Sequence, residues 1–297
     1  MIDIPDLITA MFVSATVLVY AAAGEVVTER AGVLNLGIEG TMYSGAFVGF
    51  TVADHTGSPW VGLVAAIGAG VVAALLMGLL TVTLGVNQHV SGIGTTLLLI
   101  ALCDFSNRLL YSGASVYIKP FPQLFQHTPI ASQYLLTYIG FFVVVPFLAW
   151  LLTRTGFGLR IRAVGENPEA ADVAGISVAR TRYAALLIGG VLMAVGGAFL
   201  TLAMVGTFTL NITNGRGWVA IALVIFGRWR IWGAVVGALL FAGIDALQLQ
   251  LAITDTFAHV PREIMIAAPY VVVIAALAAS GRNVAYPGAY LKPYRRL

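Results

Sequence analysis

Residues 55–103 read HTGSPWVGLVAAIGAGVVAALLMGLLTVTLGVNQHVSGIGTTLLLIALC. This stretch contains no Asp, Glu, Lys or Arg and is bounded by Asp54 and Asp104. A helix that crosses a bilayer needs roughly 20 mainly apolar residues, so the stretch has room for two such helices. It is a continuous apolar run and does not alternate between apolar and polar residues, which favours helices over the strands of a membrane β-barrel.

The rest of the 297-residue chain has the same character. Charged residues make up 10% of it and hydrophobic residues 59%, whereas a soluble domain has about 25% charged residues. Two further stretches without charge run from Lys119 to Arg154 and from Arg182 to Arg216. These features exclude a soluble enzyme, a secreted disulfide scaffold and a disordered chain. They predict an all-α, polytopic membrane protein with a single transmembrane domain over residues 1–297.

Apolar runs between polar interruptions predict about nine transmembrane helices, within a range of eight to ten. The seventh is the least regular, because Asn211, Asn214 and Arg216 interrupt its first half. The predicted spans are 6–27, 37–53, 59–86, 90–111, 134–153, 181–206, 210–227, 231–253 and 264–281.

Orientation follows from the basic residues in short loops, which are enriched on the cytoplasmic side of membrane proteins. If the loop 154–180 is cytoplasmic, four basic residues lie outside and twelve inside, which predicts an external N-terminus and a cytoplasmic C-terminus. The four are Arg108, Lys119, Arg216 and Arg262. The twelve are Arg30, Arg154, Arg160, Arg162, Arg180, Arg182, Arg228, Arg230, Arg282, Lys292, Arg295 and Arg296. This asymmetry accounts for the basic net charge, so no nucleic-acid partner is expected.

Two parts of the chain resemble each other. Residues 37–78 and 215–247 each begin with a glycine-rich entry and a charged residue, continue through a short apolar span, turn just before a Trp, and enter a Gly/Ala-rich span. The predicted orientation sends the two copies across the membrane in opposite directions. Inverted repeats with interrupted spans are typical of transporters, and the interruptions mark the substrate path. Similar composition of membrane helices is the alternative explanation.

Residues 154–182 form the longest polar stretch between spans and contain the signals of a short helix from Asn167 to Gly175. Asn167 is a good N-cap, and Pro168 at the first helical position needs no N–H partner. Gly175 suits the left-handed position that ends a helix. Such a helix offers a compact surface for another protein, although it could also simply join two spans.

The same loop resembles the coupling loop of ABC importer permeases, whose pattern V-G-x-N-P-x-A-A-x-x-A-G-I matches residues 164–176. Residues 29–40, ERAGVLNLGIEG, resemble a signature of the simple-sugar and nucleoside permease branch within the branched-chain amino-acid/ribose permease superfamily. A third match begins with GRGW at residues 215–218 and ends with Trp229 and Arg230. Together the matches cover most of the chain from Glu29 to about Leu247.

The resemblance implies a transmembrane permease subunit of a binding-protein-dependent importer in the inner (plasma) membrane of a bacterium. Its implied partners are ABC ATPase subunits, a second homologous permease subunit that would form a heterodimer, a periplasmic or lipoprotein substrate-binding protein, and membrane lipid. ATP and Mg would bind to the partner ATPase. The resemblance implies that loop 160–182 couples to the ATPase through Arg160, Arg162, Glu166, Asn167, Pro168, Glu169, Ala170, Ala171 and Gly175.

The chain itself shows no catalytic, cofactor or metal motif. Its only lysines, Lys119 and Lys292, are each followed by Pro, so the P-loop pattern that cradles ATP phosphates is absent. One cysteine, Cys103, and four scattered histidines have no metal-ligand spacing. The resemblance favours nucleosides as cargo, with a simple sugar or a flavin-like compound as alternatives. A stand-alone secondary transporter with inverted repeats and a membrane-embedded enzyme are the competing classes.

Polar residues at breaks in the spans are the candidates for the substrate path, because an unsatisfied polar group in hydrocarbon is costly. Helix capping or turn formation is at least as good an explanation for Asn35 and Asn87. Asp245 lies about 15 residues, or roughly 22 Å, beyond Arg230 and therefore well inside the membrane. Asp104 and Arg108 are four apart, which predicts a local ion pair. The path candidates are Asn35, Glu39, Asn87, Gln88, Ser91, Asn211, Asn214, Trp218 and Asp245.

Overall fold

The computed structural model describes residues 4–112, 116–125, 132–251, 262–280, 286–292 and 294. Within these residues, six helical segments are long and apolar enough to cross a membrane. They are Ile4–Arg30, Pro59–Thr83, Gln88–Tyr111, Leu135–Arg154, Val178–Val205 and Ile231–Leu251.

The helices, in chain order, are α1 (Ile4–Arg30), α2 (Ile38–Thr56), α3 (Pro59–Gly78), α4 (Gln88–Tyr111), α5 (Leu135–Ile139), α6 (Val145–Arg154), α7 (Gly156–Glu166), α8 (Pro168–Val173), α9 (Val178–Phe199), α10 (Arg216–Phe226), α11 (Ile231–Leu251) and α12 (Arg262–Ser280). Short π-helical segments extend α3 (Leu79–Thr83), join α5 to α6 (Gly140–Val144) and extend α9 (Leu200–Val205). Two short strands, β1 (Gln123–Leu124) and β2 (Gln133–Tyr134), pair antiparallel between α4 and α5.

The structure confirms a mostly helical chain with several membrane spans, and it shortens one predicted span. The interruption expected in the first half of the span 210–227 is a turn through residues 207–215, and α10 begins only at Arg216. Asn211, Asn214 and Gly215 have φ values of +61°, +45° and +78°. A right-handed helix cannot continue through such left-handed residues, which glycine and asparagine tolerate best. The count of nine crossings and the orientation stay predictions.

Helices α1 and α9 form the centre of the bundle, where small residues allow the backbones to approach. A Cβ on Gly24 of α1 would lie 2.8 Å from the carbonyl oxygen of Gly189 on α9. On the other side of α9, a Cβ on Gly190 would lie 2.6 Å from the carbonyl oxygen of Gly70 on α3. Membrane helices associate mainly through close packing of this kind, because lipid supplies no hydrophobic driving force between them. These glycines therefore fix the separation of the three helices.

The packing of the two halves is reciprocal. Helix α1 packs extensively against α11 of the second half, and α9 packs to the same extent against α3 of the first half. The pairs α2–α4 and α10–α12 also correspond. This exchange of partners is what an inverted repeat would produce, and the repeat of 37–78 and 215–247 stays a prediction.

One end of the molecule, called here the coupling end, brings the loop 154–182 together with the end of α1, the α10–α11 turn and residues 286–292. The Ala289 amide donates to the Gly165 carbonyl at 2.8 Å, and Arg30 Nε donates to the Trp229 carbonyl at 2.8 Å. Basic residues predicted on one side of the membrane therefore do meet, whereas Arg282, Arg295 and Arg296 lie outside the described residues. These hydrogen bonds hold the loop 154–182 against the transmembrane bundle.

Candidate functional site: the coupling loop and the helix junction

The short helix predicted in the polar loop is confirmed as α8. Asn167 caps it, with its Oδ1 accepting a hydrogen bond from the Ala170 amide at 3.0 Å, and Pro168 is its first residue. Gly175 adopts φ +83° beyond the end, and the Ile176 amide donates to the Ala171 carbonyl at 2.9 Å. These bonds satisfy groups that a helix terminus otherwise leaves without partners. The capping signals in the local sequence therefore set where α8 begins and ends.

Helix α8 has one anchored face and one free face. Ala171 is buried and packs with Val164 of α7 and Val178 of α9. Val173 is 91% exposed, and Glu169 and Ala170 are exposed beside it. Val173 is thus a single apolar side chain on the exposed face of α8.

Some of the other predicted coupling residues are exposed, and others make contacts within the chain. Arg160 and Asn167 are exposed, while Arg162 is half-buried on the bundle side of α7. Glu166 Oε2 accepts a hydrogen bond from the Gly288 amide at 3.1 Å, and Tyr294 donates to Asp172 at 3.0 Å. Residues 286–292 and Tyr294 therefore brace α7 and α8 against the bundle.

Two acidic residues of α1 were not among the candidate site residues, but the structure buries them at the coupling end. Glu25 and Glu29 are four residues apart and completely buried. Glu25 accepts hydrogen bonds from the Thr28 hydroxyl and the Asn35 amide, both at 2.9 Å. Glu29 Oε2 accepts a hydrogen bond from Trp229 Nε1. Their spacing on an apolar helix was the signal available in the sequence, since acids within spans are functional candidates.

Around this acidic pair, the C-terminal segment closes over the α10–α11 turn. The Trp229 ring packs edge-on against Tyr286 and Tyr290, with centroids 5.0 and 6.0 Å apart. Burial and the neighbouring Glu29 carboxylate raise the pKa of the Tyr290 phenol above its usual range. The phenol therefore stays protonated and remains a hydrogen-bond donor. Buried Arg182 adds a further link, with Nε donating to the Ala31 carbonyl at 3.3 Å.

The second polar centre lies where the first turn of α2 meets the first turn of α10. Glu39 Oε1 accepts a hydrogen bond from the Gly215 amide at 2.9 Å, and its Oε2 accepts one from the Gly217 amide at 2.6 Å. A Cβ on Gly217 would lie 2.7 Å from Glu39 Cα, so the two backbones touch. Helix N-termini carry partial positive charge. The Glu39 carboxylate therefore lies between two such ends and joins α2 to α10.

The depth of this junction follows from the length of α10. Its 11 residues span about 16 Å, roughly half of a 30 Å hydrocarbon core. Its C-terminal end leads directly into the turn at Trp229, at the coupling end. The N-terminal end of α10 consequently lies part of the way through the bundle. Discontinuous helices that begin at such depth are typical of substrate sites in transporters.

Three predicted path residues are exposed together beside this junction. Asn211 and Asn214 lie in the turn before α10 with Nδ2 and Oδ1 3.5 Å apart, and Trp218 in its first turn is 40% exposed. Tyr270 of α12 donates to the Asn214 carbonyl at 3.4 Å. Amide, indole and phenol groups thus share one surface at this level.

Asp245 of α11 lies near the same level. It is partly buried, and its carboxylate is attracted electrostatically by Arg216, the first residue of α10. No ion pair within 4.0 Å joins them among the described residues. Arg216 therefore acts on Asp245 from a distance and not through a direct ion pair.

The remaining path candidates form hydrogen bonds within the fold or lie buried. Asn35 and Gln88 brace residues 32–37: Asn35 Oδ1 accepts from the Gly37 amide at 3.0 Å, and Gln88 Oε1 accepts from the Leu34 amide at 2.8 Å. Asn87 caps α4 by accepting from the His89 amide at 2.9 Å. Ser91 is buried, and its hydroxyl has no hydrogen-bond partner within the described part of the chain. Whether cargo touches any of these residues stays a prediction.

The predicted ion pair between Asp104 and Arg108 is not formed. Asp104 instead accepts a hydrogen bond from the Tyr43 hydroxyl, which in turn accepts one from the Asn211 amide at 3.3 Å. A buried phenol with two fixed partners competes successfully with an exposed ion pair, which contributes little free energy in water. In the described ranges, no group of three His, Cys, Asp or Glu side chains is placed to hold a metal ion.

Comparison with known proteins agrees with these features. The profile of the family described as branched-chain amino acid transport system / permease component matches residues 7–277. The putative glucose ABC transporter permease protein TsgC13 of Haloferax volcanii is 42% identical over 82% of the chain and 77% of its own length. The guanosine ABC transporter permease protein NupQ of Bacillus subtilis is 32% identical over 91% of the chain and 90% of its length. The nucleoside ABC transporter permease protein NupC of Lactococcus lactis is 34% identical over 92% of the chain and 91% of its own length.

No solved structure matches the chain. The family profile covers nearly the whole chain, and the relatives that match over most of their own lengths are permease proteins of ABC transporters. The chain therefore belongs to the family of branched-chain amino acid transport system permease components, and it resembles the nucleoside and sugar permeases among ABC transporters.

Proposed function

We propose that this chain forms, with a second permease subunit, the pore of an ATP-driven importer for nucleosides. The observation that carries the proposal is the match to two nucleoside permeases over about nine tenths of the chain and of each relative. A simple sugar is the second candidate, because the putative glucose permease has the higher identity, although over a smaller part of its length. A flavin-like compound is the third.

The surface at the start of α10 suits a nucleoside. The Trp218 indole can stack on a base, and the Asn211 and Asn214 amides offer donors and acceptors for base edges or ribose hydroxyls. Glu39 would act indirectly, since both of its carboxylate oxygens already bind amides of residues 215 and 217. In this proposal Glu39 positions α10, and the exposed residues of its first turn contact the cargo.

In the same proposal the coupling end faces the cytoplasm and α8 docks on a partner ATPase that binds ATP and Mg. The free face of α8, with Val173 at its centre, would receive the motion of the ATPase. Helix α7 and the segment 286–292 would transmit it, because Gly165 of α7 packs against the end of α1 and the segment packs on Trp229 in the α10–α11 turn. A separate binding protein would deliver cargo to the opposite side.

The test is uptake by cells that carry the complete importer in a host lacking its own nucleoside uptake. We expect radiolabelled guanosine to enter and unlabelled nucleosides to compete, while glucose and riboflavin do not. Trp218→Ala should lower guanosine uptake severalfold, and Trp218→Phe, which keeps an aromatic face, should retain most of it. Glucose uptake without guanosine uptake would favour the sugar importer. Uptake that persists without any ATPase subunit would contradict an ATP-driven importer.

A further inference from the structure

A basic cavity at the coupling end plays no part in the proposed cargo path. It lies between the end of α6, the end of α1 and the α10–α11 turn, and its volume is about 370 Å³. This lies within the roughly 300–1,000 Å³ range of small-ligand sites. Three arginines line it, Arg30, Arg162 and Arg230, and each comes from a different element.

The three arginines form no ion pair with any carboxylate of the described residues. Arg162 and Arg230 lie close enough to Arg30 for their charges to repel it, and Glu166 is the carboxylate that attracts it. Glu166, however, accepts a hydrogen bond from the Gly288 amide. In the part of the chain that the structure describes, no carboxylate lies within 4.0 Å of any of the three guanidinium groups. Converging guanidinium groups without a carboxylate form a site for an anion.

The Arg162 guanidinium adds an independent observation. Its Nε is buried and has no hydrogen-bond partner among the described residues. A buried donor without a partner is costly, particularly on a charged group. Arg30 is different, since its Nε donates to the Trp229 carbonyl and is thereby held in place. The cavity thus holds one arginine already oriented and another with a free donor.

The other wall of the cavity is apolar. Ala149 and Leu152 come from the last turns of α6, and Ile231 and Trp232 begin α11. Both helices are membrane spans, and Trp232 is 56% exposed. Tryptophan is enriched where a span leaves the hydrocarbon for the headgroup region. Because this tryptophan lies beside the cavity at the ends of two spans, we expect the cavity to lie at that boundary, with its arginines on the side of the polar loop.

We propose that this cavity binds the phosphate headgroup of an anionic phospholipid. Basic pockets between transmembrane helices are suited to acidic headgroups, and arginine matches phosphate through paired N–H groups. The apolar wall distinguishes a lipid from an acidic partner protein, which would need no contact for acyl chains. Because Arg30, Arg162 and Arg230 come from α1, α7 and the α10–α11 turn, one phosphate would fasten the coupling loop to both halves of the bundle. This role does not depend on the identity of the cargo.

The test uses the purified full-length chain in a non-ionic detergent, with its melting temperature as the readout. We expect short-chain phosphatidylglycerol to raise the melting temperature saturably, while phosphatidylcholine of equal chain length and inorganic phosphate at the same concentration do not. Arg162→Gln and Arg230→Gln should each raise the half-saturating concentration about fivefold, since each basic residue near an anionic surface contributes about 1 kcal/mol. Arg180→Gln is the matched control, because Arg180 is exposed on α9 and does not line the cavity.

Three results would overturn the proposal: equal stabilisation by the two lipids, full stabilisation by inorganic phosphate alone, or unchanged lipid dependence in both cavity variants. If the variants fail to fold, the native chain still provides a test. Phosphatidylglycerol with brominated acyl chains should quench tryptophan fluorescence more than brominated phosphatidylcholine. The difference should shrink in Trp232→Phe. Equal quenching by both lipids would contradict a headgroup site.

Discussion

At the scale of single residues, the position of a glutamate in the fold decides whether its carboxylate is buried or exposed. Glu29, Glu39 and Glu169 are all in or near helical first or last turns, yet only Glu169 is exposed. Glu39 accepts two backbone hydrogen bonds, and Glu29 accepts one from an indole. A carboxylate inside a membrane protein is stable only when such donors replace water. Both buried residues therefore act as hydrogen-bond acceptors within the fold.

Glu29 permits a prediction about Trp229, which is 2% exposed. Glu29→Gln keeps an oxygen that can accept from Trp229 Nε1, whereas Glu29→Leu leaves that buried N–H without an acceptor. We expect the leucine variant to lose about 1–3 kcal/mol of stability relative to the glutamine variant. Melting temperatures of the purified chains in detergent measure this difference. A leucine variant as stable as the glutamine variant would contradict a stabilising role for the hydrogen bond from Trp229.

At the scale of elements, the junction of α2 and α10 depends on the absence of a side chain at Gly217. A Cβ there would lie 2.6 Å from Glu39 Oε2 and 2.7 Å from Glu39 Cα, and backbone cannot move aside as a flexible side chain can. The two helix ends could then no longer share the Glu39 carboxylate. Separation of α10 from α2 would also displace Asn214 and Trp218.

We therefore expect Gly217→Ala to abolish guanosine uptake and to lower the melting temperature of the purified chain. Overpacking of a tight site typically costs about 1–3 kcal/mol, and the backbone contact places this variant at the upper end. Gly68→Ala is the matched control, since a Cβ at Gly68 in α3 meets nothing within 4 Å. Similar behaviour of the two alanine variants would contradict the tight junction.

The second element with a clear prediction is α8. Because Val173 is 91% exposed, Val173→Asp should leave the fold intact and remove only the apolar contact with a docked ATPase. We expect this variant to be expressed normally but to lose co-purification of the ATPase subunit and transport-coupled ATP hydrolysis. Val173→Ala, which keeps an apolar surface, should retain most of both. Normal ATPase binding by the aspartate variant would exclude α8 as the docking helix.

At the scale of the whole molecule, two ends with different chemistry are separated by the apolar bundle. The coupling end carries most of the arginines, α8 and the C-terminal segment. At the other end, the loop after α2 lies near Lys119, with Asp54 and Tyr117 lining the cleft between them. Positive residues concentrate on the cytoplasmic side in membrane proteins, so the coupling end should face the cytoplasm.

This orientation can be tested with single cysteines, because the native Cys103 is buried. We expect Val173→Cys to react with a membrane-impermeant maleimide only in inverted vesicles. His55→Cys, near the end of α2, should react only in cells whose outer envelope has been permeabilised and whose plasma membrane is intact. The native chain is the control and should remain unlabelled. The reverse pattern of labelling would invert the proposed topology.

Much of this architecture was predictable from local sequence. Helix α8 formed where Asn167, Pro168 and Gly175 predicted it, since a cap, a helix start and a left-handed terminator act within a few residues. The membrane spans followed from the absence of charge over long runs. The resemblance in residues 29–40 and 164–176 indicated the family, which the comparisons then confirmed. Each of these conclusions depends on residues that are neighbours along the chain.

Tertiary structure decided which polar groups pair across the chain. Glu39 binds amides of residues 215 and 217, Glu29 binds Trp229, and Asp104 binds Tyr43 rather than Arg108. It also brought Arg30, Arg162 and Arg230 to one cavity, although they lie in separate parts of the sequence. The physical reason is that hydrophobicity and helix capping are local properties, whereas the partner of a buried charge depends on how the helices pack. The sequence alone therefore determined the membrane helices and the short helix α8, and only the packed bundle determined where the polar contacts lie.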